Sequence, residues 1–387
     1  MDRMRYQSNR AKPFTGIMEK AFKNRNEALG FIQKTEITLG ANEDGDPALI
    51  LTQPFAYTAQ IAQSKSKATK TYGQVIPAHE KDFLLEDTVL FSSTGKMTAG
   101  SFGTPAGPPK KGGACPSAAL PSTYRNFKKL GDVDQKDVGQ DGAKYICNYC
   151  YANKGNYMHR APQWGQVLRH TWLQRELDKK SEEEVGETLT QALRVHSSNT
   201  GMRQAKGENP RFFRIHDSGD LFDGGGHGGE PGVKALLTWY RVCENLPEIY
   251  FWCPTRMWVF PYFADFVRDN PPPENLALRP SALHFNDIGP VLPGFTAGTT
   301  AHRKQAPVES GIAELGCPAY SMGGKSCGGA FERGLRDPEI KGKEREALVK
   351  MSDIVKKDPE LSELTSGGSD CRACWLLTKA RVSYMAH

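Results

Sequence analysis

The chain has 387 residues, more than one ordinary domain, so it forms either one large α/β barrel-type unit or two modest domains. With 38% hydrophobic and 24% charged residues its composition is that of a globular protein, which excludes a fully disordered or membrane-embedded chain. Fifty Lys and Arg against 44 Asp and Glu leave a net charge of +6, which excludes a uniform basic coat while allowing a nucleic-acid partner.

Taken in chain order, the first thirty residues carry charges throughout (Arg3, Arg5, Arg10, Lys12, Lys20, Lys23, Arg25), so no export signal is expected. No uncharged apolar run approaches the roughly 18 residues of a membrane-spanning helix, and the expected location is cytoplasmic. Up to about residue 110, short β-like runs at 48–51 and 87–91 predict a β-rich region, followed by a Pro- and Gly-rich linker over 104–113. Over 163–180 the spacing of Val167, Leu168, Thr171, Trp172 and Leu177 predicts a helix. Ser181 and Glu184 then form a capping box that opens a second helix carrying Val185, Leu189, Ala192 and Leu193. A strand over 211–216, a Gly-rich loop, a helix over 233–244 and a strand over 249–253 make a βαβ unit. A further helix over 258–268 ends before three prolines, and an extended segment follows near 277–285. This alternation predicts an α/β fold with a parallel sheet: a partial or complete (β/α) barrel over 114–310, preceded by the β-rich region and linker of 1–113 and followed by a cysteine-rich metal-binding module over 311–387. The basic, helix-favouring stretch 337–357 is read as an excursion from that module.

Nine cysteines in a reducing compartment point to metal or redox chemistry before disulfides. Cys147 and Cys150, in Cys-Asn-Tyr-Cys, are close enough to share a metal, and Cys115 is the upstream candidate for a third ligand. Three thiolates suit a [4Fe–4S] cluster with one iron left open, whereas structural zinc takes four ligands; a zinc knuckle or simply buried thiols are the alternatives. Asp217 and Asp220 follow the 211–216 strand, where a carboxylate faces the ligand side of a parallel sheet and can act as nucleophile, base or ammonium acceptor; capping the turn is the plainer role. His216 reads as a core histidine, Arg256 as an anion holder or a surface salt-bridge partner, and the aromatics Tyr250, Trp252, Trp258, Tyr262 and Phe263 as packing.

The spacing Cys147-x-Tyr149-Cys150 resembles the second half of the radical S-adenosylmethionine signature. The first cysteine of that signature would fall at Ala143, so Cys115 takes its place only if residues 116–146 loop out. The resemblance implies S-adenosylmethionine as cofactor, met by Tyr149 and by the turn Ser218, Gly219 and Asp220; the literal Gly228-Gly-Glu230 is read as a decoy. Five motifs, Cys115-Pro116, Cys150-Tyr-Ala152, Arg214-Ile-His-Asp-Ser-Gly-Asp220, Cys317-Pro-Ala319 and Cys371-Arg-Ala-Cys-Trp375, together resemble the phage gene product 88 family over roughly 114–387. That resemblance implies a phage origin, a host-cytoplasmic location and a nucleic-acid or nucleotide substrate class. The Asp217-Ser-Gly turn and Cys253-Pro-Thr-Arg256 are similar to segments of tRNA-guanine transglycosylases, although no second catalytic aspartate is identifiable.

Cys317, Cys327, Cys371 and Cys374 offer four thiolates flanked by glycines at 323, 324, 328 and 329, a set suited to structural zinc or a second iron–sulfur cluster. Gly323-Gly-Lys-Ser326 lacks the earlier glycine of a phosphate loop, and His387 is a substitute ligand. The expected function is a radical S-adenosylmethionine-like iron–sulfur enzyme that modifies nucleic acid or a nucleotide. Asp217 and Arg256 are the candidate catalytic residues; the alternatives are a transglycosylase-like nucleobase exchange enzyme using Asp217, or a non-catalytic zinc-stabilised protein that binds nucleic acid or a host factor.

Overall fold

The computed structural model describes residues 36–42, 44–54, 82–92, 97–109, 112–119, 145–150, 152, 157, 160–198, 211–224, 230–319 and 326–385. Three strands, β1 (Glu36–Ala41), β2 (Pro47–Pro54) and β3 (Asp82–Val89), form an antiparallel sheet in the order β1-β2-β3. Both short β-like runs of the sequence fall in or at the end of these strands.

The organising element is a four-stranded sheet of β4 (Gly100–Phe102), β5 (Phe212–Ile215), β6 (Tyr250–Thr255) and β7 (Leu276–Pro280), in sequential order and parallel throughout. Its strands are buried on both faces, which is why they read as continuous apolar runs. Phe213, Ile215, Phe251, Cys253, Leu276 and Leu278 point into one core. Phe212 and Trp252 point into another on the opposite face. The first core is covered by α1 (Arg160–Lys179), α2 (Glu182–Ser198), α3 (Val233–Asn245) and α4 (Pro261–Asp269). The α2 start is the predicted capping box: Ser181 N–H donates to Glu184 Oε2 at 2.9 Å and Glu184 N–H to Ser181 Oγ at 3.2 Å.

This first core also takes in Ile37, Leu49, Leu90 and Phe91, and the Phe91 ring meets Phe213 edge-on at 5.5 Å. It therefore runs across residue 113, where the sequence suggests a boundary, because β4 lies before that point and pairs beyond it.

A second parallel sheet has the order β8-β10-β9, from β8 (Thr299–His302), β9 (Leu315–Gly316) and β10 (Val382–Met385). A parallel bridge between Ser281 and Thr299 links the end of β7 to β8. The fold is thus mixed α/β with parallel sheets, and among the described residues the strands form open sheets without closing into a barrel. Helices α5 (Ala330–Arg336), α6 (Gly342–Lys357), α7 (Pro359–Leu364) and α8 (Ala373–Leu376) complete the chain. The sequence suggests a self-contained module here, but Phe331, Leu348, Val355, Cys371, Cys374 and Trp375 share the second core with β5 and β6. Trp375 Nε1 donates to the Phe213 carbonyl at 2.8 Å. No helix among the described residues is long and apolar enough to cross a membrane.

Candidate functional site at the carboxyl edge of the sheet

Parallel strands deliver their following loops to one edge, and the segments after β4, β5, β6 and β7 meet there. After β5 the chain turns through His216, Asp217, Ser218, Gly219 and Asp220, all but Gly219 buried. His216 adopts φ 58° and Gly219 φ 80°. The turn lies so close to the β4 loop that a Cβ on Gly219 would stand 1.9 Å from Thr104 Oγ1, and one on Gly103 would stand 2.2 Å from Asp217 Oδ1. Ser218 Oγ donates to the Thr104 carbonyl at 2.8 Å, and Thr104 N–H returns a bond to the Ser218 carbonyl at 2.9 Å.

Asp220 ties three segments together. Its Oδ1 accepts from Thr255 Oγ1 at 2.6 Å and from Leu221 N–H at 2.8 Å; its Oδ2 accepts from Arg256 N–H at 2.9 Å. Its own N–H donates to the Ala114 carbonyl at 3.0 Å, which fixes the residue beside Cys115. Burial pushes the carboxyl up from the usual range, and the hydrogen bonds from Thr255, Arg256 and Leu221 oppose that rise. Asp220 is thus a structural cap with most of its acceptor capacity in use. Asp217 lies on the other side of the turn, where Oδ2 accepts from Tyr157 Oη at 3.3 Å and the Arg169 guanidinium supplies positive charge. Burial lowers the Arg169 pKa to about 10, while Asp217 works in the opposite sense. Asp217 Oδ1 packs closely against Gly103.

The first three cysteines arrive from two directions. Cys115 follows the β4 loop and is held by its N–H bond to the Gly107 carbonyl at 2.9 Å. Cys147 lies in a 3-10 turn (Ile146–Tyr149) that ends at Cys150. Ile146 N–H bonds to the Leu283 carbonyl at 2.8 Å, and Tyr145 pairs with His284, which anchors this turn to the segment after β7. Tyr145 Oη donates to the Ser117 carbonyl and so spans both cysteine segments. The Cys115 thiol is pushed well up, first by burial and then by the nearby charges of Asp220, Cys147 and Cys150. Arg256, whose Nε donates to the Ala282 carbonyl at 3.0 Å, is the cation among them. Burial works against its charge, but Cys147, Tyr145, Cys150 and Asp220 together hold it protonated more firmly than usual.

The structure therefore gathers Cys115, Cys147, Cys150, Asp220 and Arg256 in one electrostatic cluster, while Ser218 and Gly219 pack on Thr104. The Tyr149 side chain and residues 225–229 of the glycine loop lie outside the described residues. So do Gly323, Gly324 and His387. Among the described residues no group of three or more His, Cys, Asp or Glu side chains stands in the geometry of a single-ion site.

Sequence reasoning passed over Thr104, Tyr145, Tyr157, Arg169 and Thr255, which hold the site but belong to no recognisable spacing. It also passed over Arg279, for which one sign was available: a lone charge inside the apolar strand Leu276–Pro280.

Fold and site define the class: an α/β protein with a cysteine-, aspartate- and arginine-lined site at the carboxyl edge of a parallel sheet. The chain belongs to the gene product 88 family, a family of phage gene products, whose family model matches residues 61–375. No curated protein and no solved structure matches it significantly.

Proposed function

We propose that the chain is an iron–sulfur enzyme of the radical S-adenosylmethionine type, with Cys115, Cys147 and Cys150 as cluster ligands and a nucleic acid or nucleotide as substrate class. The observation that carries this reading is the convergence of the three thiols. Cys115 and Cys147 are separated by residues 116–146 in sequence, yet their thiols come within electrostatic reach beside Arg256. The sequential parallel strand order of β4 to β7 supports the reading, because parallel α/β folds, open or closed, place their chemistry at the strand ends where these segments meet.

A cluster held by Cys115, Cys147 and Cys150 would supply the electron for reductive cleavage of S-adenosylmethionine. The chain's own residues have distinct tasks. Arg256 offsets the charge of three thiolates. Asp220, through Thr255, Leu221 and the Arg256 amide, keeps the ends of β5 and β6 in register with the Cys115 loop. Ser218 and Gly219, pressed against Thr104, fix the turn on the β4 loop. Base exchange at Asp217 is the weaker reading, because that carboxylate is packed against Gly103.

The test is anaerobic reconstitution with iron and sulfide, followed by reduction in the presence of S-adenosylmethionine. Formation of 5′-deoxyadenosine, lost in Cys147→Ala and Cys150→Ala, is expected. An iron-loaded protein that leaves the cofactor intact would overturn the enzyme reading.

A further inference from the structure

Two features of the C-terminal segment take no part in the proposed function. The first is its cysteine set. Cys371 lies within electrostatic reach of Cys317, Cys327 and Cys374, but no metal-holding group forms among the described residues, and all four are free thiols packed in or against the second core. The second is the outer face of α6.

This helix is two-sided. Leu348, Met351, Ser352 and Val355 are buried beneath it. On the opposite side Glu346, Val349, Lys350, Asp353, Ile354 and Lys357 are exposed and line an open groove along the helix. Charged residues on a solvated helix commonly pair within it, and Glu346 with Lys350, and Asp353 with Lys357, have the i, i+4 spacing to do so. Neither pair is closed: among the described residues these four side chains have no ion-pair or hydrogen-bond partner. Val349 and Ile354 are 41% and 42% exposed.

The order of these residues carries the inference. Alternating steps of four and three place Glu346, Lys350, Asp353 and Lys357 on one stripe. About the midpoint between Met351 and Ser352 the stripe inverts its charge: Glu346 is as far from that point as Lys357, and Lys350 as far as Asp353. The apolar Val349 and Ile354, which flank the stripe, are equidistant from it too. A two-fold axis at that midpoint, relating two antiparallel helices, brings each residue level with its counterpart from the other copy, so every acid of the stripe meets a base. A parallel pairing would set Glu346 against Glu346. A partner of one charge sign, such as a nucleic acid, would be repelled by half of the stripe.

We propose that the outer face of α6 is the interface for a second copy of this chain, docked antiparallel about a two-fold axis between Met351 and Ser352. One helix face is smaller than the roughly 800 Å² per partner of a standard interface, so the dimer is weak and reversible, and its exposed ion pairs are open to screening by salt. It uses no residue of the proposed active site and is independent of the enzyme reading.

The test is sedimentation equilibrium of the full chain from about 1 to about 200 μM, a range in which weak complexes titrate, at about 50 mM and about 500 mM salt. The average mass should rise from monomer toward dimer with concentration at low salt and fall back at high salt. Lys350→Glu and Asp353→Lys each set like charges against one another and should weaken association at least about tenfold, whereas the double variant restores opposite charges and should recover most of the loss. These positions are exposed, so all three variants should unfold at the wild-type denaturant midpoint. A wild type that stays monomeric throughout at low salt, association indifferent to salt or to the single substitutions, or a double variant no better than either single would overturn the proposal.

Discussion

His216 shows how much one position can report. It sits in the left-handed region, and its ring is sealed among Phe102, Trp239 and Thr104, with Nδ1 3.3 Å from Thr104 Oγ1. Burial, and then the neighbouring His170 and Arg214, lowers its pKa to about 3. The folded state therefore keeps the ring neutral while the unfolded chain protonates near pH 6.5. The contribution is fully present above about pH 6.5 and is lost as the pH falls toward 3, with a slope of up to about 1.4 kcal/mol per unit. His216→Asn, which tolerates the same backbone, should flatten the acid limb of a stability–pH curve measured by urea unfolding; an unchanged limb would place the titrating group elsewhere. Gly219 carries a steric constraint instead: Gly219→Ala adds a methyl at φ 80° against Thr104 Oγ1 and the Thr104 carbonyl. It should cost at least about 1–3 kcal/mol in thermal unfolding, the range for strained backbone. At this scale the sequence was most informative where chemistry and spacing coincide, as in Cys147 and Cys150. It pointed to Asp220 and to a capping role but not to its partners Thr255 and Arg256, which depend on a strand pairing that spacing cannot reveal.

At the scale of elements, the helices around the βαβ unit were legible because their signals are local. Ser181 and Glu184 mark the start of α2 three residues apart in the chain, and Ser181→Ala should lower stability by about 1 kcal/mol, read from the midpoint of denaturant unfolding at constant m value. β5, β6 and α3 follow from apolar runs and helical periodicity. β4 was not legible: three residues between glycine-rich stretches become a strand only by pairing Gly100 to Phe102 against Phe213 to Ile215. The role of α8 was hidden for the same reason. Its Cys-x-x-Cys spacing is visible in sequence, but the Arg279 guanidinium that holds its carbonyls comes from β7, almost a hundred residues earlier.

For the molecule as a whole, the two faces of one parallel sheet connect regions that sequence alone separates. The C-terminal segment is fastened to the sheet by Trp375, which donates to the Phe213 carbonyl and packs edge-on against Trp252 at 5.1 Å. Trp375→Phe removes the donor to a buried carbonyl and should lower the unfolding temperature of the whole chain, with a cost of about 1–3 kcal/mol. Calorimetry should show the sheet and the C-terminal segment melting in one transition; separate early melting of residues beyond 311 would mean that the shared core does not couple them. The sheet edge is where the chemistry is concentrated, and the decisive question there is whether Cys115 joins Cys147 and Cys150. The most direct measurement is iron and sulfide content with visible absorption after anaerobic reconstitution, comparing Cys115→Ala with the wild type in a background carrying Cys371→Ser and Cys374→Ser. The account predicts about four iron and four sulfide per chain in the parent and neither in the Cys115 variant. Equal iron in both, or a colourless parent, would contradict it.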